Sequence, residues 1–122
     1  MITGIGVDII QVKRMERWCS NNALLRRYFH PDELAAIGLQ KNAAQSLAAR
    51  FAAKEAFGKA LGTGLTNIVL KDIMILNNEN GKPELLMFAS AKAAFEKSGA
   101  NKAFVSLSHE REYAVAMVIL EG

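Results

Sequence analysis

Asp8 closes the segment Thr3-Gly4-Ile5-Gly6-Val7-Asp8, in which glycines hold the other positions on its own side of an alternating pattern. A bare backbone that then presents one carboxylate lets a ligand or another chain come close. An aspartate at that place also suits the cap of a helix beginning near Gln11. The second stretch is Arg50-Phe51-Ala52-Ala53-Lys54-Glu55-Ala56-Phe57-Gly58-Lys59-Ala60-Leu61-Gly62. At 100° per residue, Phe51, Glu55, Lys59 and Gly62 fall along one stripe of a helix, with Arg50 and Lys54 beside it. Glu55 and Lys59 alone form an ordinary surface pair worth a few tenths of a kcal/mol. Together with the neighbouring cations and the small-residue stripe Ala48, Ala52, Ala56 and Ala60, they suit a phosphate ligand held with a divalent metal. A third stretch, Ser106-Leu107-Ser108-His109-Glu110, delivers a histidine to a turn, where a structural role is the commoner one. Asn80-Gly81-Lys82-Pro83 is sufficiently explained as a hairpin turn. No Gly-x-x-x-x-Gly-Lys-Ser/Thr occurs, and Gly4-Ile5-Gly6 lies within a strand without a third glycine.

The elements that must position these residues follow from periodicity. Residues 2–10 alternate as a strand, with Thr3, Ile5, Val7 and Ile9 on one side. Residues 12–28 predict one helix, weakened in the middle by Asn21-Asn22. Pro31-Asp32-Glu33 predicts a helix start, ending near Gly38. Asn42 opens an Ala-rich helix to about Leu61, stopped by Gly62 and Gly64. Val69 to Leu76 and Glu84 to Phe88 predict a hairpin, Ser90 to Ser98 a helix capped by Gly99, and Ala103 to Ser108 with Tyr113 to Leu120 a second hairpin. The order β-α-α-α-β-β-α-β-β predicts an α+β fold with antiparallel pairing.

Whole-chain properties narrow the classes. The 122 residues are enough for one domain, 1–122, that buries roughly two-thirds of its unfolded surface. With 51% hydrophobic residues, nine glycines and two prolines, neither disorder nor a fibrous repeat is expected. One cysteine, Cys19, excludes an internal disulfide and suits a reducing, cytoplasmic compartment. The longest apolar run, Tyr113 to Leu120, is far below the ~20 residues of a spanning helix, and no secretory signal is visible at the N-terminus. The net charge of +3 is concentrated in Lys13 to Arg27, where five basic residues face only Glu16. Such a stretch attracts an anionic partner or is simply a solvated face.

The three blocks, in this order and spacing, resemble the short, single-domain holo-[acyl-carrier-protein] synthases of the 4′-phosphopantetheinyl transferases. Their pattern is an Asp after Gly-x, a Phe/Trp-x-x-Lys-Glu-Ala-x-x-Lys block and a Ser-His strand end. The resemblance implies a 4′-phosphopantetheinyl transferase-like fold and a Mg²⁺-dependent reaction. In that reaction 4′-phosphopantetheine moves from coenzyme A to a serine of apo acyl carrier protein, releasing adenosine 3′,5′-bisphosphate, a step of fatty acid biosynthesis. It implies Asp8 and Glu55 as metal ligands, with Lys59 as the third catalytic residue. For coenzyme A it implies Arg50, Phe51, Lys54, Gly58, Lys59, Gly62, Gly81, Lys82, Pro83 and His109. The proton acceptor is Glu55, directly or through a metal-bound water, with His109 the competing candidate. An acidic carrier protein calls for a complementary cationic surface, which Lys13, Arg14 and Arg17 offer, with Trp18 and Met15 as apolar anchors; the resemblance singles out Arg14. The resemblance further implies a homotrimer with active sites between subunits, which suits a final strand apolar on both faces. Neither nucleic acid nor membrane is expected as a partner. The competing classes are a small basic nucleic-acid-binding protein, which leaves Asp8 and Glu55 unexplained, and a non-catalytic coenzyme A-binding module.

Overall fold

The computed structural model describes residues 1–38 and 42–122. Strand β1 (Ile2–Gln11) leads into α1 (Val12–Glu16), a 3₁₀ turn at Trp18–Ser20, α2 (Asn22–Tyr28), α3 (Pro31–Ile37) and the long α4 (Ala43–Leu61). After a second 3₁₀ turn at Leu70–Asp72 come β2 (Ile73–Asn77), β3 (Pro83–Met87), α5 (Ala89–Lys97), β4 (Lys102–His109) and β5 (Tyr113–Glu121). β5 is the central strand of an antiparallel sheet in the order β1-β5-β4, and β2 and β3 form a separate antiparallel pair. The architecture is α+β.

Two expected elements differ. The helix expected over 12–28 is divided, because the Asn21 side chain accepts a hydrogen bond from the Leu24 N–H and starts a new helix there. The strand expected from Val69 begins at Ile73, since Leu70–Asp72 makes a 3₁₀ turn tied by Asp72 N–H to the Val69 carbonyl.

α4 is the centre of the molecule. Twelve of its nineteen residues are buried, and alanine dominates them. A helix apolar on every side belongs in a core, and small side chains let neighbouring backbones come near. The closest approach is to β1. A Cβ built on Gly4 would lie 1.9 Å from the Ala60 carbonyl oxygen, and one on Gly6 2.0 Å from that of Ala56. Only glycine permits that seat, so the bare side of β1 admits a helix of the same chain. The other side of the strand, Ile5, Val7 and Ile9, is half or more exposed. Among the described residues no helix is long and apolar enough to cross a membrane.

Candidate active site

Because Gly4 and Gly6 seat α4 on β1, Asp8 at the far end of the same strand side meets the helix at Glu55 and Lys59. Lys59 Nζ donates to Asp8 Oδ1 at 2.9 Å and to the Val7 carbonyl at 3.0 Å. The second carboxylate oxygen, Asp8 Oδ2, is buried without a hydrogen-bond partner among the described residues. A buried, unpaired anionic oxygen is costly unless positive charge reaches it. The Glu55 carboxyl is raised above its ordinary pKa, first by burial and then by the charge of Asp8, against the opposing pull of Lys59 and Arg14. A carboxylate with an unsatisfied oxygen, beside a second carboxyl whose ionisation it disfavours, forms an incomplete hard-oxygen ligand set. Among the described residues no group of three or more His, Cys, Asp or Glu side chains gathers anywhere. Mg²⁺ needs no such cage, since it is commonly bound by one or two carboxylates plus substrate phosphates and water. The donor set fits that ion.

Arg14 borders this centre. Its guanidinium lies 5.4 Å from the Phe51 ring centroid, and Trp18 meets the same ring edge-on at 5.4 Å while stacking on Tyr28 at 5.3 Å. Phe51 is therefore a buried anchor that holds α1 and its following turn against α4. Lys13 and Arg17 are exposed on the outer side of this segment, whereas Met15 is fully buried in the core and does not offer the apolar contact expected of it.

The expectation that Arg50, Phe51 and Lys54 meet coenzyme A needs correction within this chain. Lys54 is fully buried and ion-paired with Glu33 at 2.7 Å. Burial lowers its pKa, and the charge of Glu33 opposes that shift. Arg50 is buried as well, its Nε donating to the Ile75 carbonyl at 3.2 Å and its Nη1 to that of Ser46 at 3.4 Å. Helical spacing showed these cations to be near Glu55 but left open that they turn inward. Glu33 was missed altogether. Its sequence position after Pro31 marks it as a first-turn acid, and it does close a capping box with His30, yet it is also fully buried.

The remaining positions are dispersed. Gly58 packs against the backbone of Gly64, and Gly62 is the left-handed cap of α4 at φ +82°. Gly81, Lys82 and Pro83 form the β2–β3 turn, organised by Asn78 Oδ1, which accepts from the Asn80 and Lys82 N–H groups. His109 ends β4, and Asp8 is separated from that strand by β5 through the register Asp8–Ala116–Leu107. Two strand spacings amount to about 10 Å, so the imidazole of the same chain does not reach the Asp8–Glu55 pair. A cavity of about 760 Å³ between α2, α3 and the start of α4 has none of Asp8, Glu55 or Lys59 in its lining. The carboxylate site is instead open at the surface, with the Lys59 side chain 54% exposed.

A family model for the 4′-phosphopantetheinyl transferase superfamily matches residues 4–118. Holo-[acyl-carrier-protein] synthase of Treponema denticola is 49% identical over 123 residues, covering all of both chains. The synthase of Geotalea daltonii is 48% identical, covering 99% of each. Among solved structures, the synthase of Neisseria meningitidis superposes with a TM-score of 0.89 at 35% identity and full coverage of both chains. That of Bacillus anthracis, in complex with CoA (3′,5′-ADP), gives 0.83 at 34% identity, covering 100% of this chain and 98% of that one.

Proposed function

The chain belongs to the 4′-phosphopantetheinyl transferase superfamily, and from that membership we propose the following reading of its site. It is an enzyme that transfers the 4′-phosphopantetheine group of coenzyme A to a serine hydroxyl of apo acyl carrier protein. The products are holo carrier protein and adenosine 3′,5′-bisphosphate. The observation that carries the site assignment is the buried, unpartnered Asp8 Oδ2 beside a Glu55 that its charge makes harder to ionise. Asp8 and Glu55 would hold Mg²⁺, which would supply charge that neutralises the diphosphate and favours the leaving phosphate. Lys59, already on Asp8, turns its exposed ammonium to the same phosphates, where preorganised charge stabilises the transition state. The serine proton passes to Glu55, directly or through a water, and the distance across β5 argues against His109 of the same chain.

Two finer statements belong to the same reading. The enzyme is a homotrimer, the state that the family resemblance implies; self-association is supported by Ile5, Val7, Ile9, Phe104 and Met117, which make an exposed apolar face on the three-stranded sheet, and by a carboxylate site open on one side. Such a patch marks an interaction surface. In that assembly His109, the Gly81–Pro83 turn and Gly62 border coenzyme A at subunit boundaries. The compartment is the cytoplasm, which suits an exposed, unpaired Cys19. The test is to incubate the protein with coenzyme A, Mg²⁺ and an apo carrier protein and weigh the carrier by mass spectrometry. A gain of one phosphopantetheine, abolished by chelation, is expected. An unchanged carrier mass overturns the reading.

A further inference from the structure

We propose that Lys54 is a positioning residue of the transfer reaction: its ammonium fixes the rotation of α4 so that Glu55, the next residue, faces Asp8. The proposal rests on the reading of Asp8 and Glu55 as the metal pair.

An ammonium has three donors and no acceptor. Lys54 Nζ gives them to Glu33 Oε1 at 2.7 Å, to the Leu70 carbonyl at 3.0 Å and to the Ile73 carbonyl. The three acceptors sit on α3, on the 3₁₀ turn before β2 and on β2 itself. None is left for a phosphate. Glu33 is satisfied in turn, taking the His30 N–H at 2.9 Å and the Ile75 N–H at 3.1 Å besides Lys54. Arg50, one turn earlier on α4, takes the Ile75 carbonyl. The side chains of Glu33 and Arg50 thus occupy both backbone polar groups of Ile75, as a neighbouring strand would.

A fully buried ion pair is weak evidence for stability, because desolvation offsets most of the attraction. What it does supply is direction. Hydrophobic burial is non-directional, and the opposite side of α4 is an alanine surface lying on glycines, which sets distance better than rotation. A carboxylate stands roughly 6 Å from its helix axis, so a rotation of about 10° displaces it by about 1 Å. Reacting groups must be held to within about 0.5 Å, and a 1 Å misplacement reduces rate by about 100-fold. Three directional bonds at the position adjoining Glu55 meet that requirement.

The test combines Lys54→Met with Glu33→Gln, so that neither member of the ion pair is left charged without the other, and adds Mn²⁺ binding by electron paramagnetic resonance to the kinetics. The folded double variant is expected to bind Mn²⁺ about tenfold more weakly and to lose about 100-fold in kcat, with KM for coenzyme A changed less than about threefold. Wild-type Mn²⁺ affinity and kcat in the folded double variant overturn the proposal. So does a large rise in KM for coenzyme A with kcat retained, which returns Lys54 to the phosphates. Should the double variant not fold, Glu33→Gln alone is expected to show the same losses at smaller amplitude, and wild-type values there overturn the proposal. Asp8→Asn measured alongside separates the two readings. If it binds Mn²⁺ as the wild type does, the metal pair itself is the assignment that falls.

Discussion

Burial and the charge of Asp8 outweigh the pull of Lys59 and Arg14 on Glu55, and this has consequences for stability as well as for chemistry. The folded protein holds the Glu55 proton more tightly than the unfolded chain does, since burial and Asp8 raise its pKa. A group of that kind favours folding fully below its unfolded pKa and loses the contribution as pH rises through the folded value. At neutral pH the ionised Glu55 therefore opposes folding when no cation is bound. Glu55→Gln is expected to raise Tm by a few degrees in chelator at pH 7 to 8 and to have no such effect near pH 4, while abolishing transfer. Added Mg²⁺ should raise Tm of the wild type and leave that of the variant unchanged. Thermal unfolding across pH checks this, and a lower Tm for Glu55→Gln in chelator contradicts it. Asp8→Ala should likewise remove most turnover without unfolding the protein, with partial rescue by excess Mg²⁺ or Mn²⁺. No rescue is expected for Lys59→Ala, whose charge the ion does not replace.

Among the elements, the packing of β1 on α4 and the segment around α1 carry separable functions. Gly6→Ala would drive a methyl to 2.0 Å from the Ala56 carbonyl oxygen, a backbone atom that cannot turn aside. The helix must shift, at a cost of about 3 kcal/mol and a fall of about 10 °C in Tm. Thermal unfolding would show it, and a Tm within a degree or two of the wild type would mean that the two backbones are not in contact. The basic segment divides by what its residues touch. Arg14 lies on Phe51 and within the field of Glu55, whereas Lys13 and Arg17 are exposed on the outer side. Charge reversal at Lys13 and Arg17 is expected to raise KM for the acidic carrier protein several-fold and to leave kcat and KM for coenzyme A nearly unchanged. Arg14→Glu should additionally lower kcat. Steady-state kinetics in varied salt, which weakens the same encounter, distinguish the two groups.

At the scale of the whole molecule, the outer face of the β1-β5-β4 sheet is the feature that a single chain leaves unexplained. Val7 and Met117 are register partners on that face, and Ile5 and Phe104 flank them through Ile119. Met117→Lys, on the central strand, is expected to dissociate the assembly and to make activity fall steeply on dilution. Sedimentation and a dilution series of activity check this. A wild-type chain that sediments as a monomer at micromolar concentration would contradict it.

The residues that set the helix starts, the turns and the family blocks act locally, so the sequence alone determined most elements, the α+β class and the stripe that carries Glu55 and Lys59 on α4. Proline at the first position of α3, Gly62 after α4 and alternation in β1 each act within a few residues of themselves. The division of residues 12–28 was within reach of the same reasoning, because Asn21 caps the helix that follows it. Tertiary structure alone decided which way the cations of α4 turn. Lys54, Glu55 and Lys59 lie within six positions on one helix, and whether a lysine there meets solvent or the interior depends on what packs against its side. Lys54 meets Glu33, twenty-one residues before it, and the Ile73 carbonyl of β2, nineteen residues after it. The partner that makes a buried ammonium tolerable comes from distant segments, and no local pattern in the chain encodes it.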